Sequence, residues 1–215
     1  MTIASSVRVA SLAVLCVAAL GVAHPAQARV HGFRARHDGQ QVGHVGGTFA
    51  NGQGGLVHAR GTRASGPNGR AAHGAYTSVN PDGSVQHRGG TEVSGVNGGS
   101  FSGRNSYTRN ADGSASSSHS AHGTTAGGGA VSSNGSYARS ADGSVSGSSQ
   151  TSASGVKGSY DAATSTADGT THHTTTISNA SGETYNGQTT FTRGQGVSHS
   201  GSCTDAGGNA IPCGH

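Results

Sequence analysis

Asn80-Pro81-Asp82-Gly83 reads as a complete turn, and the chain repeats it as Asn110-Ala111-Asp112-Gly113, Ser140-Ala141-Asp142-Gly143 and Thr166-Ala167-Asp168-Gly169. The aspartates are spaced by 30, 30 and 26 residues. At the first position of a type I turn, Asn, Asp or Ser bonds the backbone two residues on, and Pro at the second arrives with its φ already set. The glycine supplies the left-handed residue that closes a bulged hairpin loop. Asp82, Gly83, Asp112, Gly113, Asp142, Gly143, Asp168 and Gly169 therefore read as hairpin tips, and a recurring tip implies a recurring fold unit.

Aromatic residues stand upstream of these tips. Tyr76 precedes Asp82 by six residues, Tyr107 and Tyr137 precede Asp112 and Asp142 by five, and Phe33 precedes Asp38 by five. Aromatics at 49, 76, 107, 137, 160 and 191 open units of 27, 31, 30, 23 and 31 residues. Tyr76, Tyr107, Tyr137, Tyr160 and Phe191 are expected to form a register-setting stripe, with Arg109, Arg139 and Arg193 beside it. A second punctuation falls between the first tips: Ser65-Gly66-Pro67-Asn68-Gly69, Ser94-Gly95-Val96-Asn97-Gly98 and Ser154-Gly155-Val156-Lys157-Gly158 again demand positive φ. Two turns per unit imply two strands per unit. Residues 84–94 alternate as a strand does, with Val85, His87 and Val93 on one side and Gln86, Arg88 and Glu92 on the other. The expected fold is all-β, a thin antiparallel meander of two-strand repeats.

Residues 1–28 stand apart. Arg8, the apolar run from Leu12 to Val22 and Ala26-Gln27-Ala28 have the pattern of a secretory signal peptide, whose helix precedes a mature chain starting at Arg29. The run is shorter than the roughly 20 residues of a membrane span, so none is expected in the mature chain. Leu15 before Cys16 does not suit a lipidation site. Export to the periplasm, outer surface or exterior leaves Cys203 and Cys213 to close one disulfide, worth about 3 kcal/mol in the chain-entropy model. The expected divisions are a signal peptide at 1–28, a basic His/Arg-rich arm at 29–48, a hairpin repeat region at 49–200 and a disulfide loop at 201–215.

Composition limits the core. After residue 28, Val, Ile, Leu, Phe and Tyr together number 24, and Trp is absent. A thick two-layer globule cannot be built from these. Two outcomes stay open: a thin sheet in which ladder bonds and neighbouring units share the load, or a largely disordered low-complexity chain. Charge is uneven, since residues 29–73 hold six arginines and one acid, while residues 74–215 hold six cations and eight acids. The basic arm suits an anionic surface polysaccharide. Nucleic acid is not expected, because no aromatic platform or groove motif accompanies the arginines.

Reactive chemistry is thinly represented. The turn aspartates are accounted for as turn residues, no Gly-x-Ser-x-Gly elbow sits in a strand-turn-helix setting, and no shaped cleft is expected, so catalysis is not. One carboxylate per unit is too sparse for a calcium cage. His172 and His173 are neighbours on a strand and face opposite ways, as do His119 and His122. The sharpest candidate is Arg29-Val30-His31: the Arg29 amine, two backbone nitrogens and the His31 imidazole could close a square-planar set around Cu(II) or Ni(II).

The Tyr-x-Arg-x-Ala-Asp-Gly-Ser units, the signal peptide and the ending Cys203-Thr-Asp-Ala-Gly-Gly-Asn-Ala-Ile-Pro-Cys213 resemble small exported Gly/Ser/Thr-rich repeat proteins of Gram-negative bacteria, and more weakly the repeats of adhesin-type exoproteins. The resemblance implies an exported envelope protein and passes on no active-site residue. The expected function is a non-enzymatic structural or adhesive one, with assembly through sheet edges. The alternative is an exported copper- or nickel-binding protein acting through His31.

Overall fold

The computed structural model describes residues 28–213. The expected signal peptide lies outside the described residues but for Ala28. Fourteen strands follow one another: β1 (Arg29–His37), β2 (Gln40–Ala50), β3 (Leu56–Gly66), β4 (Gly69–Val79), β5 (Val85–Gly95), β6 (Ser100–Arg109), β7 (Ala115–Thr124), β8 (Ala130–Arg139), β9 (Val145–Gly155), β10 (Gly158–Ala167), β11 (Thr170–Asn179), β12 (Thr184–Thr192), β13 (Gly196–Thr204) and β14 (Ala210–Ile211). They form one antiparallel sheet in sequence order, open at both edges. Strands touch only their sequence neighbours, so the sheet is a single layer. The all-β meander expected from the turns is the fold.

Hairpin chemistry explains this order. At Asn80, Asn110 and Ser140 the backbone N–H donates to the carbonyl four residues on, while Gly83, Gly113 and Gly143 donate back to the first residue. The three glycines have φ between 82° and 88°. Each loop is thus a type I turn closed by a glycine bulge. Asp168-Gly169 differs, with φ of 50° and 74°, the mark of a two-residue type I′ turn, and Asp38-Gly39 matches it at 45° and 74°. Asp168 therefore opens its loop, where Asp82, Asp112 and Asp142 sit in mid-loop. That shift and the two-residue Val156-Lys157 turn account for the shortened third interval, from Asp142 to Asp168.

No hydrophobic side chain is buried among the described residues. The residues that are buried are Gly46, Gly47, Gly55 and Gly123. The interior of this protein is therefore backbone, held by ladder bonds and cross-strand pairs. Its accessible surface is 15154 Å², against about 9,000 Å² for a compact protein of this mass.

The segment 29–48 is not a separate arm, because the Asp38-Gly39 turn folds it back into the β1–β2 hairpin, paired from Arg29↔Thr48 to His37↔Gln40. The repeat region accordingly begins before residue 49. At the other end Cys203 and Cys213 are bonded, with 5.3 Å between their Cα atoms. The bond holds the last residues against β13, and β14 pairs only with Cys203 and Thr204.

Candidate functional site

Strand pairing assigns every strand residue to one of two faces. From His31 the directly opposed residues run Gly46, Arg60, Ala75, Gly89, Asn105 and His119 across β2 to β7. This row defines the first face. Most large apolar side chains lie on it, including Val42, Leu56, Val93, Phe101, Tyr160 and Ile177. The second face is mainly Ser, Thr, Gly and Asn, with Arg34, Arg36, Arg63, Arg70, Arg88 and Arg104. The two carboxylates that lie within strands, Glu92 and Asp161, are also on the second face.

Histidine is distributed unequally. Of the eleven described histidines nine lie on the first face, and only His122 and His172 on the second. Four of the nine belong to a motif that the 30-residue reading of the sequence passes over. Each of β2 to β5 carries His-x-x-x-Thr: His44 and Thr48, His58 and Thr62, His73 and Thr77, His87 and Thr91. The step from histidine to histidine is 14, 15 and 14 residues, half of the hairpin repeat.

Antiparallel pairing makes the motif complementary to itself. His44 opposes Thr62, which opposes His73, which opposes Thr91, and Thr48, His58, Thr77 and His87 alternate in the same way four residues further along. Imidazole Nδ1 and threonine Oγ1 are 2.9 Å apart in His44–Thr62 and His73–Thr91, 3.0 Å in His58–Thr48 and 2.8 Å in His87–Thr77. The result is two parallel His/Thr ladders, about 13 Å apart along the strands. Between them run Gly46, Arg60, Ala75 and Gly89.

Close approach requires the two glycines in this floor. The His31 ring lies across Gly46, with Nε2 3.0 Å from where a Cβ would stand, and Asn105 Oδ1 lies 2.6 Å from the same point on Gly89. His31 is also beside His44, with ring centroids 6.0 Å apart, and Phe33 stacks on His44 at 5.9 Å. The His31 ring and the Asn105 side chain thus cover the glycines at the two ends of this row, and imidazoles and hydroxyls flank it.

Further along the first face the pattern loosens. His173 bonds Thr164 at 2.8 Å and Thr175 at 2.9 Å, and His199 bonds Thr189 at 2.9 Å. No group of three or more His, Cys, Asp or Glu is placed to hold a metal ion among the described residues. In the ladders, histidines of one row stand two strands apart, about 10 Å, too far to share an ion. The Arg29-Val30-His31 segment begins β1, where residues alternate between donating to the partner strand and pointing away. One of the two amides required for a square-planar site is therefore taken by the ladder.

The aromatic stripe is only partly present. Tyr107, Tyr137 and Phe191 share one row on the first face. Tyr160 is on the same face but in the row of Val131 and Ile177, and Tyr76 opposes Ala59 and Arg88 on the second face. Tyr76 precedes its turn by six residues where Tyr107 and Tyr137 precede theirs by five, and an offset of one reverses the face. Arg109 and Arg139 lie in the row next to Tyr107 and Tyr137, on the first face, while Arg193 sits in the β12–β13 turn.

The turn aspartates are fixed by their own loops. The Ser84 side chain and then its backbone N–H hold Asp82 below the usual carboxylate range. The same order applies at Asp112, where Ser114 Oγ and N donate at 2.7 and 2.9 Å. At Asp142 the Ser144 backbone N–H dominates, and at Asp205 the Asn209 side chain does.

No helix among the described residues is long and apolar enough to cross a membrane. Compared with protein families, characterised proteins and solved structures, the chain matches none of them.

Proposed function

We propose that this is an exported, non-enzymatic structural or adhesive protein of the cell envelope or extracellular matrix, working through the two broad faces of its sheet. The observation that carries the reading is the single-layer sheet itself. A chain that leaves nearly all its side chains at the surface presents a large area of hydroxyls, imidazoles and arginines per unit mass. Such a layer suits contact with extended partners better than enclosure of a small molecule. Its edges support assembly: among the described residues β1 is paired on one side only, and residues 196–202 of β13 lack a partner on their outer side. Unpaired strand edges recruit further strands.

Co-sedimentation with washed Gram-negative envelopes tests the reading. The chain is expected to partition to the pellet and to be released as salt is raised, because the contacts invoked are polar and ionic. A chain that stays in the supernatant at low salt would overturn it.

A further inference from the structure

A cross-strand side-chain bond does not by itself require histidine, since Thr166–Thr171 joins β10 to β11 beside His173–Thr164. Four imidazoles alternating between two rows on consecutive strands therefore ask for a further account. We propose that the first face of β2–β5 is a binding lane for an acidic polysaccharide, engaged as its imidazoles become protonated. This rests on the surface-binding reading above and gives it a place and a ligand class.

Shape is the first support. The lane runs across the strands and is floored by Gly46, Arg60, Ala75 and Gly89 between ladders about 13 Å apart. An extended polymer can lie across the strands between the ladders, over Arg60 and Ala75, with the His31 ring over Gly46 at the β1 end and Asn105 over Gly89 at the β6 end.

Donor chemistry is the second. With Nδ1 engaged by threonine, Nε2 is the nitrogen each imidazole offers to a ligand. Threonine hydroxyls alternate with the imidazoles and match the sugar hydroxyls of the same polymer. Arg60 stands in the middle of the floor and supplies a fixed positive charge for a carboxylate or sulfate.

Electrostatics is the third. Arg29 and His31 face the lane from β1, and Arg109 from the last row of β6, with the uncharged Tyr107 in the row before it. No strand carboxylate shares this face, and Asp38 and Asp82 belong to the hairpin tips beyond the strand ends. Arg60 within the lane and Arg29 beside it are fixed positive charges, and each imidazole that takes a proton adds one more. Histidines of one row lie about 10 Å apart, close to the screening length at physiological salt, so their repulsion is modest and a polyanion offsets it. Binding and protonation then favour each other. Single-stranded nucleic acid is the weaker fit, because bases bind by stacking, no Phe, Tyr or Trp stands on this face of β2–β5, and the Phe33 ring of β1 is already stacked on His44.

The test uses the full chain with dextran sulfate and polygalacturonate as probes, and neutral dextran and oligothymidylate as comparisons, at about pH 5.5 and 7.5. Affinity for both acidic polysaccharides is expected to rise about 10-fold or more on acidification, as protonated imidazoles meet a polyanion. The quadruple variant H44Q/H58Q/H73Q/H87Q should lose that gain, and R70Q/R88Q on the second face should keep it. A gain that persists in the quadruple variant, or is absent from the wild type, overturns the lane. Equal gain with oligothymidylate, or equal affinity for neutral dextran, overturns the ligand class. If the quadruple variant loses its strand circular dichroism, H58Q/H73Q, which changes two exposed side chains, should remove about half of the gain on a logarithmic scale; full retention would count against the proposal. Binding that ignores pH removes the lane alone, whereas no binding to any acidic polymer at either pH removes the surface-binding reading too.

Discussion

A carboxylate whose oxygens accept two hydrogen bonds from the residue two places on is harder to protonate than a free one. Asp82, Asp112 and Asp142 are all in this position. Because their folded values lie below the unfolded one, the stability they contribute is complete above the ordinary carboxylate range and is lost as pH falls through the folded values. Melting temperature is therefore expected to be flat above about pH 4 and to fall below it, and D82N/D112N/D142N should flatten that acid limb while keeping the turns. Circular dichroism melts at stepped pH check this, and an unchanged limb in the triple variant would refute it. Gly113 isolates the conformational term, since it has a φ of 84° and a Cβ there would meet nothing within 4 Å. Gly113→Ala should cost about 1 kcal/mol, from left-handed backbone strain alone. In a chain starting at Arg29, Cu(II) held by the amine, two amides and His31 must take an amide from the β1–β2 ladder. Binding should therefore accelerate hydrogen exchange in β1, and His31→Ala should abolish both effects.

At the level of the strand pair, the hairpin is the unit and aromatic rings lie across glycines of neighbouring strands. Tyr185 illustrates this, because a Cβ on Gly201 would stand 2.8 Å from its ring and one on Gly187 2.6 Å from its hydroxyl. Gly201→Val should lift the ring and destabilise β12–β13 by about 1–3 kcal/mol, the usual range for an overpacked site. Loss of the tyrosine near-ultraviolet signal in that pair would report it. The hairpins were legible in the sequence because a turn is local: Asp-Gly and the glycine bulge set the backbone within four or five residues. The His-x-x-x-Thr motif was equally present in the letters, but its meaning depends on pairing. Only when two copies run antiparallel does each histidine meet a threonine, so the motif carries no signal at the hairpin period.

Over the whole molecule, stability is a sum of neighbour terms along one dimension, so no central core couples β1 to β13. Hydrogen exchange is expected to show protection rising from both edges toward the middle strands rather than one global opening. Uniform protection from β2 to β12 would contradict this. C203S/C213S should free residues 205–213 from β13 at a cost of up to about 3 kcal/mol, felt locally. It also lengthens the exposed β13 edge, so sedimentation should show increased self-association. The sequence by itself determined the all-β class, the two-strand repeat and the positions of the tips, because these depend on φ preferences close along the chain. It favoured a thin sheet but kept a disordered chain as the alternative, since the deciding energy lies in ladder bonds between strands. Only the tertiary structure decided the face of Tyr76, the place of residues 29–48 within the sheet, and the gathering of nine histidines on one side. Those depend on register, which a single residue in a loop or strand is enough to reverse.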